Sequence, residues 1–239
     1  MAAETSREEA AGEGFEPQRY GSWFETELGR IVWEDELDAL LGLLGPVEGK
    51  RLLDAGVGEG RLALDPALAG ADVTGVDVSL PMLRAARQRS LEARTFLHLA
   101  AADLKALPFR SASFDRVVAM TVLCFVENPQ VAVNEMARVL KPGGRLVIGE
   151  LGRWSLWAAI RRLRGLLGNT LWRHARFWTL ESVERLVARS GLIPVGRESA
   201  VFYPPSAGAA RVLRPVERVA SARGVSMGAA FLAVAAKKL

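Results

Sequence analysis

The sequence predicts an α/β fold built on a parallel sheet, and three observations predict it. From Arg51 onward, short apolar runs alternate with helical stretches, which is how strands joined by crossover helices read. The first apolar run opens into a glycine-rich turn, the place where such a sheet puts its ligand. Half of the 239 residues are hydrophobic and 24% are charged, which fits a globular chain and excludes a collagenous or wholly disordered one. With a single cysteine, Cys124, there is no internal disulfide and no zinc-like Cys/His spacing. No run approaches eighteen apolar residues, and the first residues carry no apolar stretch, so a cytoplasmic protein without a membrane span is expected.

Taken in order, residues 1–17 are small, polar and acidic and read as a disordered tail, followed by a single domain over 18–239. Helices are expected over 20–44, where Leu37, Leu40, Leu41 and Leu44 keep a helical period and Gly29 marks a division. Strands are expected at 51–55, 72–76, 95–99, 114–120 and 145–150. Ser79 can cap the helix running through Met82 and Leu83, and Asn128 with Pro129 can start the next. Lys141-Pro142-Gly143-Gly144 ends that helix and turns the chain into a strand. The alternation lapses over 151–178, an insertion rich in tryptophan and arginine. A helix over 179–189 and strand regions at 191–203 and 228–236 complete the chain, with Pro204-Pro205 and Gly208 in the loop between the last two strands.

Charge is unevenly spread. Five glutamates against one arginine leave residues 1–18 at −4, so the remainder carries +8 to reach the total of +4. Arg153, Arg161, Arg162, Arg164, Arg173 and Arg176 fall between Leu151 and Leu180, where there is no acid. A general nucleic-acid binder more often spreads its basic residues over a whole face.

The glycine turn indicates the ligand. Asp54-Ala55-Gly56-Val57-Gly58-Glu59-Gly60 departs from the Gly-x-Gly-x-x-Gly of dinucleotide sites. Asp54 and Glu59 would repel a diphosphate, and both suit a ligand carrying an ammonium and a sulfonium. A second strand ends in Asp77, placed to accept the ribose hydroxyls of a nucleoside. A third leads to Asp103, whose carboxylate could accept from an adenine amino group.

These segments, together with Leu107-Pro108-Phe109, Ser113-Phe114-Asp115-Arg116-Val117-Val118 and Glu135 to Gly144, closely resemble the class I S-adenosylmethionine-dependent methyltransferases, and within them the branch that includes the quinone-biosynthesis enzymes. The resemblance implies a three-layer, Rossmann-like α/β fold with a seven-stranded sheet in the order 3-2-1-4-5-7-6, its last strand antiparallel, under a helical lid. It also implies S-adenosyl-L-methionine as methyl donor. Asp54, Ala55, Gly56, Val57 and Gly58 would line the amino-acid moiety, Asp77 the ribose, and Val78 and Met82 the adenine. Asp103 and the Leu104 amide would meet the adenine edge, and Met120 would close the floor. Pro66 is expected to shorten the helix after the loop.

Methyl transfer from a sulfonium needs alignment and exclusion of water more than an acid-base pair, and no catalytic residue stands out. His98, His174, Glu127 and Glu150 are weak candidates for a base, and Cys124 reads as a buried small hydrophobe. Position 120 onward reads Met-Thr-Val-Leu-Cys, not the Asn/Asp-Pro-Pro-aromatic motif of methyltransferases acting on nucleobase amines. All six tryptophans lie outside the expected sheet. In the insertion, helical winding groups Leu156, Trp157, Ile160, Leu163 and Leu167 on one side and Arg161 and Arg162 on the other. With Tyr20, Trp23, Trp154 and Trp157, the apolar side is expected to wall a pocket for an apolar or aromatic small-molecule acceptor. Other readings are a nicotinamide-dependent oxidoreductase, an RNA methyltransferase, a nucleoside-binding protein without catalysis, and, for 153–176, contact with a membrane surface. A monomer or homodimer fits, and no metal site is expected.

Overall fold

A computed structural model describes residues 17–222 and 224–239, with side chains at 21–169, 171–215 and 224–239. The expected tail therefore lies outside the described residues, except for Pro17, which opens the first helix. Helices α1 (Pro17–Glu25) and α2 (Glu27–Leu44) precede the sheet. They divide at Thr26, not Gly29, because the Thr26 hydroxyl caps α2 by accepting from the Gly29 amide at 3.0 Å. Gly29 is needed for a different reason: a Cβ there would lie 2.0 Å from the Trp23 carbonyl.

The chain then runs β1 (Arg51–Ala55), α3 (Arg61–Leu68), β2 (Asp72–Asp77), α4 (Leu80–Glu92), β3 (His98–Ala101), β4 (Phe114–Met120), α5 (Pro129–Val139) and β5 (Leu140–Leu151). It continues through α6 (Leu156–Leu166), α7 (Thr170–His174), α8 (Leu180–Arg189), β6 (Leu192–Ala200), α9 (Ala207–Ala222) and β7 (Phe231–Lys238). The sheet has seven strands in the order β3-β2-β1-β4-β5-β7-β6, with β7 antiparallel to both neighbours, as the resemblance implied. Parallel strands are buried on both faces. Thus Leu53, Val117 and Leu146 pack toward Met136 of α5 and Val183 of α8, while Leu52, Val118 and Val147 pack toward Leu40 of α2 and Leu62 of α3.

Three further expectations are corrected. β3 starts at His98, not Thr95, because α4 runs to Glu92 and residues 93–97 return the chain through a turn with Arg94 at φ +52°. β5 starts at Leu140: Leu140 already pairs with Phe114, and Pro142-Gly143-Gly144 is an irregularity inside the strand before Arg145 pairs with Arg116. The loop expected around Gly208 is mostly the helix α9. Other details agree. α3 is only eight residues long and contains Pro66, and the Ser79 hydroxyl accepts from the Met82 amide to cap α4.

Candidate active site

The carboxyl ends of β1 and β2 form the base of the site. The amides of Gly56 and Val57 both donate to the Val76 carbonyl, at 2.8 and 2.9 Å, which fastens the glycine turn to β2. Gly56 has φ +88°, and a Cβ there would come within 2.5 Å of Val122, so backbone and space both demand glycine. Gly58 also has positive φ, but a Cβ there would meet nothing within 4 Å. The chain is therefore open on that side. The Gly58 amide donates to Asp77 Oδ2 and the Ser79 amide to Asp77 Oδ1, each at 2.9 Å, so one carboxylate bridges the two turns. Burial raises the Asp77 pKa, opposed by amides of Ser79, Gly58 and Val78.

Asp54 is the anomaly of this region. It is 1% exposed, and its Oδ2 has no hydrogen-bond partner among the described residues. Burial, and then the negative charge of Asp77, push its pKa up to about 7. A buried carboxylate is costly unless something pairs with it, and a cation resting in the open glycine turn would do so.

Along the same rim, Val78 is exposed and Met82 buried, with Leu104 also buried and Met120 half-buried. Asp103 accepts from the Lys105 amide at 2.8 Å and lies 3.6 Å from its ammonium. Glu59 does not serve as expected. Its buried carboxylate meets Arg61 and Arg89, each at 2.9 Å, and so is already neutralised. Of the two acids in the turn, only Asp54 is left for a ligand.

The other half of the site lies beyond β4 and β5. Thr121 takes φ +48°, an uncommon conformation for a residue with a side chain, and its amide donates to Gly149 at 2.7 Å. Glu150 is fully buried, its Oε1 accepting from the Leu123 amide at 2.7 Å while Oε2 has no partner among the described residues. Burial lifts its pKa to about 8 despite the amides around it. Cys124 is 1% exposed, its thiol donates to the Thr121 carbonyl, and burial together with the Glu150 charge raises its pKa. That suits a small hydrophobe and not a nucleophile.

The 151–178 insertion folds over this end. Ser155 caps α6 by accepting from Ala158, and Ala158 packs with Cys124, Leu151 and Phe177. The expected faces of α6 are corrected. Trp157, Ala158 and Gly165 are buried and Arg161 is half-buried, whereas Leu156, Leu163 and Leu167 are exposed. Periodicity shows that a helix has a stripe, but not which stripe faces the protein. The Arg161 guanidinium lies 5.3 Å from the Trp157 ring and 4.9 Å from the Trp172 ring, and its charge acts on both Glu36 and Cys124.

The four residues expected to wall the acceptor pocket part company. Trp157 points inward with its indole N–H donating to the Tyr203 carbonyl at 2.8 Å. Trp23 is half-buried, edge-on to Phe24. Trp154 is 61% exposed and therefore lies outside any enclosed wall. The Tyr20 side chain lies outside the described part of the protein. Of the weak base candidates, His98 sits at the opposite end of the strands, 3.2 Å from Asp72, and His174 is exposed.

Glu36 was missed. It is 8% exposed, with its pKa lifted to about 8 by burial, against the lowering effect of Arg161. The signal was present: Val32, Glu36, Leu40 and Leu44 recur every fourth residue on one buried stripe of α2, and an acid in such a stripe stands out.

A methyltransferase-domain family model matches residues 53–148. An uncharacterized protein of Mycobacterium tuberculosis is 34% identical over 223 residues, covering 93% of this chain and 72% of that protein. The chain belongs to the methyltransferase-domain family. It is an S-adenosylmethionine-dependent methyltransferase of the Rossmann-like type. Over part of its length this methyltransferase is also similar to a demethylmenaquinone methyltransferase of Renibacterium salmoninarum, 42% identical over 107 residues, 45% of this chain and 44% of that enzyme. Among solved structures, an S-adenosylmethionine-dependent methyltransferase of Thermotoga maritima shares its fold, with TM-score 0.72, 24% identity, and 93% and 96% of the two chains covered. Geranyl diphosphate C-methyltransferase of Streptomyces coelicolor also does, with TM-score 0.63, 18% identity, and 85% and 78% covered.

Proposed function

We propose that this methyltransferase binds its donor along the rim formed by β1, β2 and β3 and transfers the methyl group to an apolar or aromatic small molecule held beneath α6. The observation that carries the donor half is Asp54, a buried carboxyl whose Oδ2 has no partner among the described residues, beside an open glycine turn. It suits an ammonium or sulfonium and repels a diphosphate, which speaks against the nicotinamide reading. S-adenosylmethionine supplies an electrophilic methyl carbon on a good leaving group.

The chain's own residues then have to hold and enclose. Asp54 with the backbone of Ala55, Gly56, Val57 and Gly58 takes the amino-acid end, and Asp77 accepts the ribose hydroxyls with its remaining lone pairs. Val78 and Met82 flank the adenine, Asp103 and the Leu104 amide meet its edge, and Met120 closes the floor. Above, α6 excludes water, with Trp157, Trp23 and the half-buried Ile160 as the apolar part of the acceptor wall. The names of relatives favour an aromatic acceptor: besides the menaquinone enzyme, a ubiquinone biosynthesis O-methyltransferase of Alkalilimnicola ehrlichii is 37% identical over 118 residues.

Calorimetry with S-adenosylmethionine, its demethylated product and NAD(H), followed by transfer of labelled methyl to a panel of hydroxyaromatics, quinols and amines, tests this reading. Donor and product should bind and label should enter a small aromatic. Binding of NAD(H) alone, or label entering only RNA, overturns it.

A further inference from the structure

The lid helix is amphipathic the wrong way round for a helix that only covers a pocket. At about 100° per residue, positions 157, 158, 161 and 165 share one side of α6 and are buried or half-buried, with the half-buried Ile160 on its flank. The opposite side carries Leu156, Leu163, Leu166 and Leu167, all exposed, Leu166 at 82% and Leu167 at 78%. Arg162 and Arg164 flank this row. Leucines placed singly on a surface are ordinary, but a contiguous apolar row on one helix marks a contact surface.

The patch extends beyond the helix. The Trp154 carbonyl accepts from the Gly228 amide at 2.9 Å, which brings the exposed Met227 beside the exposed Trp154. Along the 151–180 segment itself the charge has a single sign, since no acid occurs between Leu151 and Leu180 and Arg153, Arg164, Arg173 and Arg176 are exposed. A leucine row edged by arginines, with a tryptophan at its margin, matches the chemistry of a helix lying in the headgroup region of an anionic bilayer.

We infer that the outer face of α6, with Trp154 and Met227, docks on anionic phospholipid surfaces as a peripheral contact. Among the described residues no helix is long and apolar enough to cross a membrane, so the contact is one of lying on the surface. RNA is the poorer partner for this face. Single-stranded nucleic acid is held by exposed aromatic platforms along a basic groove, whereas here Trp154 is the only aromatic exposed between 151 and 178 and the row is leucine. The inference does not depend on which acceptor is methylated. It does place the surface from which a lipophilic molecule would come on the other side of the lid from Trp157.

Co-sedimentation of the full chain with vesicles tests it. Vesicles containing phosphatidylglycerol should carry the protein down at low salt, and phosphatidylcholine vesicles should not. High salt should release it. Replacing two of the exposed arginines in Arg164→Ser/Arg173→Ser should weaken binding by about fivefold per charge. Leu163→Ser/Leu166→Ser/Leu167→Ser should weaken it by more than tenfold, with the melting temperature lowered by only a few degrees, because these side chains are largely in water and the loss is mainly one of helix propensity. Failure to sediment with anionic vesicles, equal binding to neutral ones, or binding indifferent to both sets of substitutions overturns the inference. So does an RNA oligonucleotide that binds where the vesicles do not.

Discussion

Replacing Asp54 by asparagine should make the ligand-free protein more stable while ruining its affinity for the donor. In the folded chain the Asp54 pKa is raised from 3.8 to about 7, by burial and then by the charge of Asp77. The stability this group contributes is therefore fully present below pH 3.8 and is lost as the pH rises through about 7. Across that interval of about three pH units, at about 1.4 kcal/mol each, the loss is roughly 4 kcal/mol at pH 8 and roughly 2 kcal/mol at pH 5. Asparagine does not ionise, so the advantage of the Asp54→Asn variant over the parent should widen by roughly 2 to 3 kcal/mol between those two pH values. Glu36 and Glu150 titrate too, but they are common to both proteins and cancel. Urea unfolding of the two proteins at each pH measures the difference. Calorimetry of donor binding should show a loss of roughly tenfold to a hundredfold, the usual worth of a hydrogen bond to a charged group. A stability gap that does not change with pH would mean that Asp54 is ionised and satisfied in the free protein, and the reasoning from its missing partner would be refuted.

Gly56→Ala and Gly58→Ala should behave differently although both have positive φ. The first drives a Cβ into Val122 and should lower stability by about 2 to 4 kcal/mol, seen as a lower urea midpoint. The second has open space and should cost only about 1 to 2 kcal/mol while still reducing donor affinity. Glu59→Gln removes the partner shared by Arg61 and Arg89 and should destabilise by about 1 to 3 kcal/mol, less than a fully buried pair because both arginines reach water. Cys124→Ala should retain turnover within about twofold at a stability cost of about 1 kcal/mol; abolished turnover would restore the thiol as a nucleophile.

The sheet was legible in the sequence where the physics is local. β1 and β4 occur with the bounds their apolar runs suggest, and the acids ending β1 and β2 stand where the strand rule puts them. What escaped was set by neighbours. α9 hides behind Pro204-Pro205 and Gly208, yet Ala207 to Ala210 is a good helix start once the chain has turned. The mispositioned stripe of α6 follows from the same limit: a 3.6-residue period is present whichever side meets the protein. Glu59 could not be told from Asp54 without seeing Arg89 arrive from α4, thirty residues further on.

The chain of contacts from Trp157 to Tyr203, from the Tyr203 hydroxyl to Asp35 at 2.9 Å, and from Asp35 to Arg214 at 2.6 Å ties α6, α2 and α9 together. A ceiling braced at so many points is poorly suited to swinging open as a flap. α1 is anchored as well, by Phe24, which is buried edge-on to Trp33 of α2 with the Arg61 guanidinium 4.4 Å over its ring, so the roof and its forward edge are fixed together and small molecules have to pass between parts that stay in place.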